Sequence, residues 1–102
     1  MTYYLVAEIE FHNESWWEDY LRNVTPLVHR HHGKILARTK NYEQIAGKHT
    51  ANVCAIVEWP DKQNFFDFRD DPDFQPWRQN RLSGGTTEAV LISAEDDMDK
   101  LS

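Results

Sequence analysis

Hydrophobic residues alternate along this chain first with the period of a strand and then with the period of a helix. Residues 3–10 are rich in aromatic and branched side chains, and odd and even positions face opposite sides of an extended chain. Ser15 and Glu18 then have the S-x-x-E spacing of a capping box. Pro26 predicts a kink or local break, and Gly33 is typical of a helix end. Between Ser15 and Gly33, the positions that follow helical spacing are Trp17, Tyr20, Leu21, Val24, Leu27, Val28 and His31.

The rest of the chain repeats this alternation. Further strands are predicted at residues 34–40, 53–59 and 87–94. The polar connection 41–52 either extends a strand or forms a flap. Asp61 is typical of a helix cap, and the sequence Ser-Gly-Gly at 83–85 ends the helical region that follows it.

The order strand, helix, strand, strand, helix, strand predicts an α+β fold of the ferredoxin-like βαββαβ type. Its four-stranded antiparallel sheet has the spatial order 4-1-3-2, with helices on one face only. Residues 1–102 are expected to form one domain with a loosely ordered tail at 95–102. The central strands are apolar on both faces, so the uncovered face predicts a homodimer that packs sheet on sheet.

Composition and charge narrow the possible functions. The formal net charge of -6 opposes binding to a nucleic-acid backbone. No apolar run approaches the length of a membrane span, and the N-terminus lacks the basic region of a signal peptide. The single cysteine, Cys54, fits a reducing compartment, so a cytoplasmic location is expected. Neither a glycine-rich phosphate loop nor a G-x-S-x-G sequence occurs, and no cofactor is predicted.

Two stretches are candidate metal sites. In residues 70–78, DDPDFQPWR, Asp71 and Pro72 favour a helix start, with Pro76 in its first turn or at a second start. Adjacent acids on one helix seldom converge on a metal ion, so capping is the favoured interpretation. The histidines at 29, 31 and 32 complement the dipole of a helix end better than they match a metal motif. We therefore predict no metal site.

Charges inside predicted strands suggest a pocket instead. Glu8, Arg38 and Glu58 lie on neighbouring strands and form a cross-strand row if they share a face. Arg38 would then orient an anionic group, and Glu58 or Glu8 would act as general base in a catalysed reaction. A surface or interface salt bridge explains the row equally well. Apolar pocket walls are predicted from Tyr20, Phe74 and Trp77.

The chain also resembles the domain-of-unknown-function family 1330, within the dimeric α/β-barrel superfamily. The resemblance rests on His32-Gly33, on Arg38 followed by Glu43 and Gly47, on VEWPD at 57–61, and on DPDFQPWRQNR at 71–81. It implies a homodimer whose two sheets close a barrel, and it implies no defined reaction. It also adds His32, Glu43 and Arg81 to the candidate site, with Glu43 in a loop over the pocket mouth. Lys34, Ala46 and Ala94-Glu95 depart from the family pattern near the loop and the last strand.

Two functions remain open from sequence. One is a homodimer with a small-molecule pocket beside the sheet, and a cofactor-independent enzyme that acts on a small polar or anionic metabolite is one form of it. The pocket is expected between the sheet, the second helix and the loop at 41–52. The other is a dimeric protein that binds ligands or partners without turnover.

Overall fold

The computed structural model describes residues 1–48 and 50–101, and for Leu101 it describes the backbone only. Ser102, the last residue of the predicted tail, lies outside the described residues, as does His49 of the predicted loop. The elements are β1 Tyr3–Phe11, α1 Trp17–Arg30, β2 Lys34–Thr39, β3 Val53–Trp59, α2 Lys62–Arg69, α3 Gln75–Gly84, β4 Gly85–Ser93 and a 3-10 turn Asp99–Leu101.

The four strands form one antiparallel sheet in the order β2-β3-β1-β4, which confirms the predicted topology. Ala7 of β1 lies opposite Ala55 on β3 and opposite Ala89 on β4. Directly opposed residues of antiparallel strands share a face, so these three alanines mark one face of the sheet. We call it the helix face, because the helices cover it, and we call the opposite side the outer face.

The core lies between the helix face and the helices. Trp59 at the end of β3 is fully buried, and Phe74 before α3 is 1% exposed. Phe68 of α2 contacts both rings, and its ring centroid lies 5.3 Å from that of Trp59 and 4.4 Å from that of Phe74. The side chains that α1 adds to this core are those at the predicted helical spacing, namely Tyr20, Val24, Leu27 and Val28.

Both ends of α1 differ from the prediction. The capping box at Ser15 and Glu18 is wrong, because α1 starts after Trp16 without a side-chain cap and the Ser15 hydroxyl donates to Asn13. The helix then runs unbroken through Pro26. At its C-terminal end the left-handed residue is His32, with φ +67°, and not Gly33.

A Schellman turn ends α1, and close packing requires glycine at the residue that follows His32. The His32 N–H donates to the His29 carbonyl at 3.0 Å, and the Gly33 N–H donates to the Val28 carbonyl at 2.9 Å. A Cβ on Gly33 would lie 2.6 Å from Val28 Cγ1 and 2.8 Å from Trp59 Cζ3. Glycine is therefore required at this position by close packing against the core.

The predicted second helix is two helices. Asp61 caps α2 as predicted, accepting the Gln63 N–H at 3.3 Å. Asp71 does not cap α3, which begins four residues later, at Gln75. The Asp71 carboxylate accepts the Asp73 N–H at 2.9 Å, and it contacts His31 at 2.8 Å and Arg30 at 3.1 Å. Residues 70–74 thus form a turn tied to the end of α1, and residues 75–78 begin α3. The alternative of a second helix start after Pro72 is confirmed.

The outer face of the sheet has an uncovered apolar patch, as the strand pattern predicts. Val6 lies opposite both Ile56 and Val90, and Ile92 lies opposite Tyr4 on the same face. Val90 is 57% exposed. Loop residues Thr50 and Ala51 border a shallow depression on this face beside Glu8 and Glu10. These loop residues therefore lie beside the outer face.

Candidate functional site

Two adjoining cavities lie between the helix face and the helices. The first has a volume of about 80 Å³ and is bounded by β1, β2, β3 and α1. The second has a volume of about 100 Å³ and is bounded by β1, β4, α2 and α3. A volume of roughly 10–15 Å³ holds one water, so each cavity can hold more than a single water molecule. The residues common to both linings are Leu5, Ala7, Phe68 and Arg81.

The arginines of the chain divide into two groups by their partners. Arg22, Arg30 and Arg69 each form an ion pair with at least one carboxylate. The other three arginines have no carboxylate of the described residues at ion-pair distance, and all three line the cavities. Arg38 lines the first cavity, Arg78 the second, and Arg81 both. The ion-paired Arg69 also lines the second cavity. No described Asp or Glu lines either one, although the chain has 17 acidic residues against 11 lysines and arginines.

Both arginines of the first cavity are hydrogen-bonded to residues of α1. Arg81 Nη1 donates to the Tyr20 hydroxyl at 3.3 Å, and the Arg81 guanidinium lies 5.9 Å from the centre of the Phe74 ring. Arg38 reaches in from β2, where its Nη1 donates to the Thr25 hydroxyl at 2.9 Å. Burial raises the pKa of Tyr20, opposed by Arg81 and, more weakly, by Arg38. The phenol therefore stays protonated at neutral pH and can donate a hydrogen bond.

Three buried polar side-chain atoms lack a hydrogen-bond partner in the described part of the chain, and each belongs to a lining residue. They are Trp59 Nε1 in the first cavity, Arg81 Nε in both, and Thr87 Oγ1 in the second. A buried polar group without a partner costs roughly 1–3 kcal/mol. The three atoms all lie at the cavities, where bound water or a ligand can complete their hydrogen bonds.

The predicted row of Glu8, Arg38 and Glu58 is wrong. Arg38 lies opposite Ala55 on the helix face, whereas Glu8 and Glu58 lie opposite Cys54 and Tyr4 on the outer face. A bulge in β2 between Ile35 and Ala37 shifts the strand by one residue and turns Arg38 to the helix side. Glu8 and Glu58 are also about 13 Å apart along the strands, since four residues separate Glu8 from Tyr4.

The other predicted site residues are divided between the cavities and the surface. Tyr20, Phe74, Arg38 and Arg81 line them. Trp77 packs against the core without lining either cavity, and Glu43 is exposed in its loop. His32 is exposed in the turn after α1, where its backbone role needs no ligand. The loop at 41–52 contributes no described residue to either cavity, so these two cavities do not support a pocket mouth there.

Sequence reasoning missed Trp59, Arg78 and Thr87. The VEWPD and DPDFQPWRQNR motifs contain the first two, but they were noted there only as part of a family pattern. Arg78 and Arg81 are three residues apart, a spacing that places two side chains on one face of a helix. That spacing was available in the sequence. Nothing in the sequence marks Thr87 as buried without a partner.

Other kinds of site find less support in the described residues. Across residues 1–48 and 50–101, no group of three or more His, Cys, Asp or Glu side chains is arranged to hold a metal ion. None of the helices in that same part of the chain has the length and apolar character needed to cross a bilayer.

Comparison with protein families decides the relationship that the motifs suggested. The family model for a domain of unknown function, DUF1330, matches residues 2–94. This chain belongs to the DUF1330 family. The predicted resemblance is thereby confirmed, and the match covers every helix and strand from β1 to β4. A comparison of this DUF1330 chain with curated proteins finds no match.

Solved structures share the fold of this DUF1330 chain at low sequence identity. A protein of unknown function from Rhodopseudomonas palustris, RPA0582, superposes with a TM-score of 0.81 at 13% identity, over 93% of this chain and 83% of that one. SnoaB, a cofactor-independent oxygenase from Streptomyces nogalater, gives 0.69 at 19% identity over 96% and 97%. A dimeric ferredoxin-like protein of unknown function from Jannaschia gives 0.64 at 10% identity over 92% and 100%. These similarities establish the ferredoxin-like fold.

Proposed function

We propose that this protein is a homodimer whose subunits each bind a small organic anion between the helix face of the sheet and the helices. One observation carries the proposal. The three arginines without a carboxylate partner, Arg38, Arg78 and Arg81, all line the two cavities, and no described acidic residue does. Arg78 and Arg81 are half-buried, and a half-buried arginine without an anion is costly, so a bound anion would stabilise them. Arg38 is exposed and adds positive charge to the first cavity.

The donor set favours an anion with an apolar body. Arginine and tryptophan side chains donate hydrogen bonds and accept none, and the Tyr20 hydroxyl already accepts one from Arg81. Charge-assisted hydrogen bonds from arginine to a carboxylate or similar group are roughly twice as strong as neutral ones. The remaining lining is aliphatic and aromatic, including Leu5, Val24 and Phe68. A small organic acid matches both parts of this lining.

The outer face supports the homodimer. Two copies that pack outer face on outer face would cover Val6, Ile56, Val90 and Ile92 in both subunits by one two-fold axis. The similar proteins from Jannaschia and Thermobifida fusca are described as dimeric and ferredoxin-like. In this arrangement the two sheets would close a barrel, with the two adjoining ligand cavities of each subunit outside it. Residues 1–102 would act as one domain, and the single Cys54 supports a cytoplasmic location.

Binding without turnover is favoured over catalysis. Neither cavity lining contains an Asp, Glu or His among the described residues, so the usual general bases are missing from it. Glu8 and Glu58, predicted as bases, lie on the outer face. The second candidate is a cofactor-independent enzyme in which the protonated Tyr20 phenol is the proton donor. This second candidate is supported by the fold shared with SnoaB, a cofactor-independent oxygenase.

A thermal-shift screen with matched acids and amides tests the proposal. Organic acids such as benzoate should raise Tm, and the neutral amide of the same acid should not, because only the acid carries the charge. Arg81→Gln should abolish the shift. Arg22→Gln is the control, since Arg22 pairs with Glu18 and Asp19 on the exposed side of α1. Equal shifts with acid and amide, or an unchanged shift in Arg81→Gln, would refute the proposal.

A further inference from the structure

The second cavity has its own recognition groups. Arg78 and Arg81 approach it from α3, and Thr87 on β4 adds a buried hydroxyl that has no partner in the described part of the chain. Arg78 forms no ion pair with any described carboxylate. Arg69 also lines this cavity, but it is paired with Asp70 at 3.1 Å. The second cavity is thus cationic in its own right, with Arg78 and Thr87 as groups that the first cavity lacks.

Arg81 connects the two cavities. Its Nη1 donates to Tyr20, which lines the first cavity, and its guanidinium lies 5.9 Å from the Phe74 ring, which lines the second. The floor common to both is apolar, formed by Leu5, Ala7 and Phe68. The arrangement therefore has Arg38 in the first cavity only, Arg78 in the second only, and Arg81 with an apolar floor shared by both.

We infer that the ligand carries two anionic groups joined by a short apolar spacer, as in a dicarboxylic acid. This inference rests on the proposed function, since it specifies the ligand class of the same site. One anionic group binds Arg38, Arg81 and Tyr20 in the first cavity. The other binds Arg78, Arg81 and Thr87 in the second, and the spacer lies over the floor. Three arginines facing a single carboxylate would leave surplus positive charge, which a second anionic group neutralises.

Adipate and hexanoate are matched probes, because both have six carbons and differ only in a second terminal carboxylate. Their dissociation constants are measured by NMR chemical-shift titration in low-chloride buffer, on the intact chain. Adipate should bind at least about tenfold more tightly, the usual effect of one charge-assisted hydrogen-bonded contact. Arg78→Gln should remove that advantage and leave hexanoate unchanged. Arg78 has no side-chain partner among the described residues, so the variant should fold, and Arg22→Gln should retain the wild-type preference.

The outcomes separate this inference from the proposed function. Equal affinity for adipate and hexanoate, or an adipate preference that survives Arg78→Gln, would overturn the two-anion ligand and leave organic-anion binding standing. Binding of neither probe, together with no acid-specific thermal shift, would overturn both. A preference for adipate that is lost in Arg78→Gln and retained in Arg22→Gln supports the inference.

Discussion

Val90→Asp should dissociate the dimer. Val90 lies in the middle of β4 on the outer face, opposite Val6, and is 57% exposed in the isolated subunit. Full burial of a valine side chain stabilises by about 1.5 kcal/mol, so covering the exposed part contributes about 1 kcal/mol. A two-fold interface uses the same residue twice, which gives about 2 kcal/mol for the dimer.

The aspartate adds a second cost to this lost burial. A carboxylate buried at the interface without a partner costs several kcal/mol, or forces the two sheets apart. A total loss of at least about 3 kcal/mol corresponds to a dimer dissociation constant raised at least about 100-fold. Sedimentation velocity over a concentration series measures this constant directly.

Leu82→Asp is the matched control for this substitution. Leu82 is 52% exposed, but it lies on α3 and not on the outer face. The Leu82→Asp substitution introduces the same charge at an apolar residue of similar exposure, and the dimer should persist. A wild-type protein that is monomeric at micromolar concentration would refute the reasoning, as would a Val90→Asp dimer as tight as the wild type.

Three further predictions concern stability and the site. Gly33→Ala should cost about 1–3 kcal/mol in urea unfolding, because its Cβ would clash with Trp59 and Val28; an unchanged midpoint would contradict the close packing. The hydrogen bonds from His31 and the Asp73 N–H, together with Arg30, lower the pKa of Asp71 in the folded protein. The Asp71 carboxylate therefore stabilises the folded state fully above its unfolded pKa of about 3.9, and this stabilisation is lost as pH falls through the lower folded pKa. Asp71→Asn should therefore lower Tm at pH 7 and lose less further stability on acidification than wild type; parallel Tm curves would argue against this linkage. Tyr20→Phe should weaken acid binding by about two- to tenfold in the NMR titration, since the phenol both accepts from Arg81 and donates to the ligand, and full affinity would exclude that role.

The order of strands and helices could be predicted from the sequence, because its signals are local. The two-residue and helical periods placed β1, α1 and β3 to within a few residues, and the Asp61 cap was correct. The capping box at Ser15 failed because the residue at the N-cap position is Trp16 and not Ser15. The split between α2 and α3 was not fixed because Asp71 and Pro72 fit a helix start and a turn equally well. The contacts with Arg30 and His31 that stabilise the turn are about 40 residues away in sequence.

The candidate site was only partly predictable, because it depends on which face each strand residue occupies. One bulge in β2 turned Arg38 away from Glu8 and Glu58, and a bulge leaves little trace in six residues of sequence. Arg38, Arg81, Tyr20 and Phe74 were nevertheless identified, through strand charge, family resemblance and aromatic character. Arg78 became a candidate only when the arginines with a carboxylate partner could be told from those without one, which requires coordinates.

Native mass spectrometry of protein taken directly from cells tests the central claim most directly. The account predicts dimers that carry one small acidic molecule per subunit, identified after release by its accurate mass. Arg81→Gln should lose that molecule, and Arg22→Gln should keep it. A copurified molecule that lacks an acidic group, or equal occupancy in Arg81→Gln and wild type, would contradict the claim that these arginines bind an organic anion.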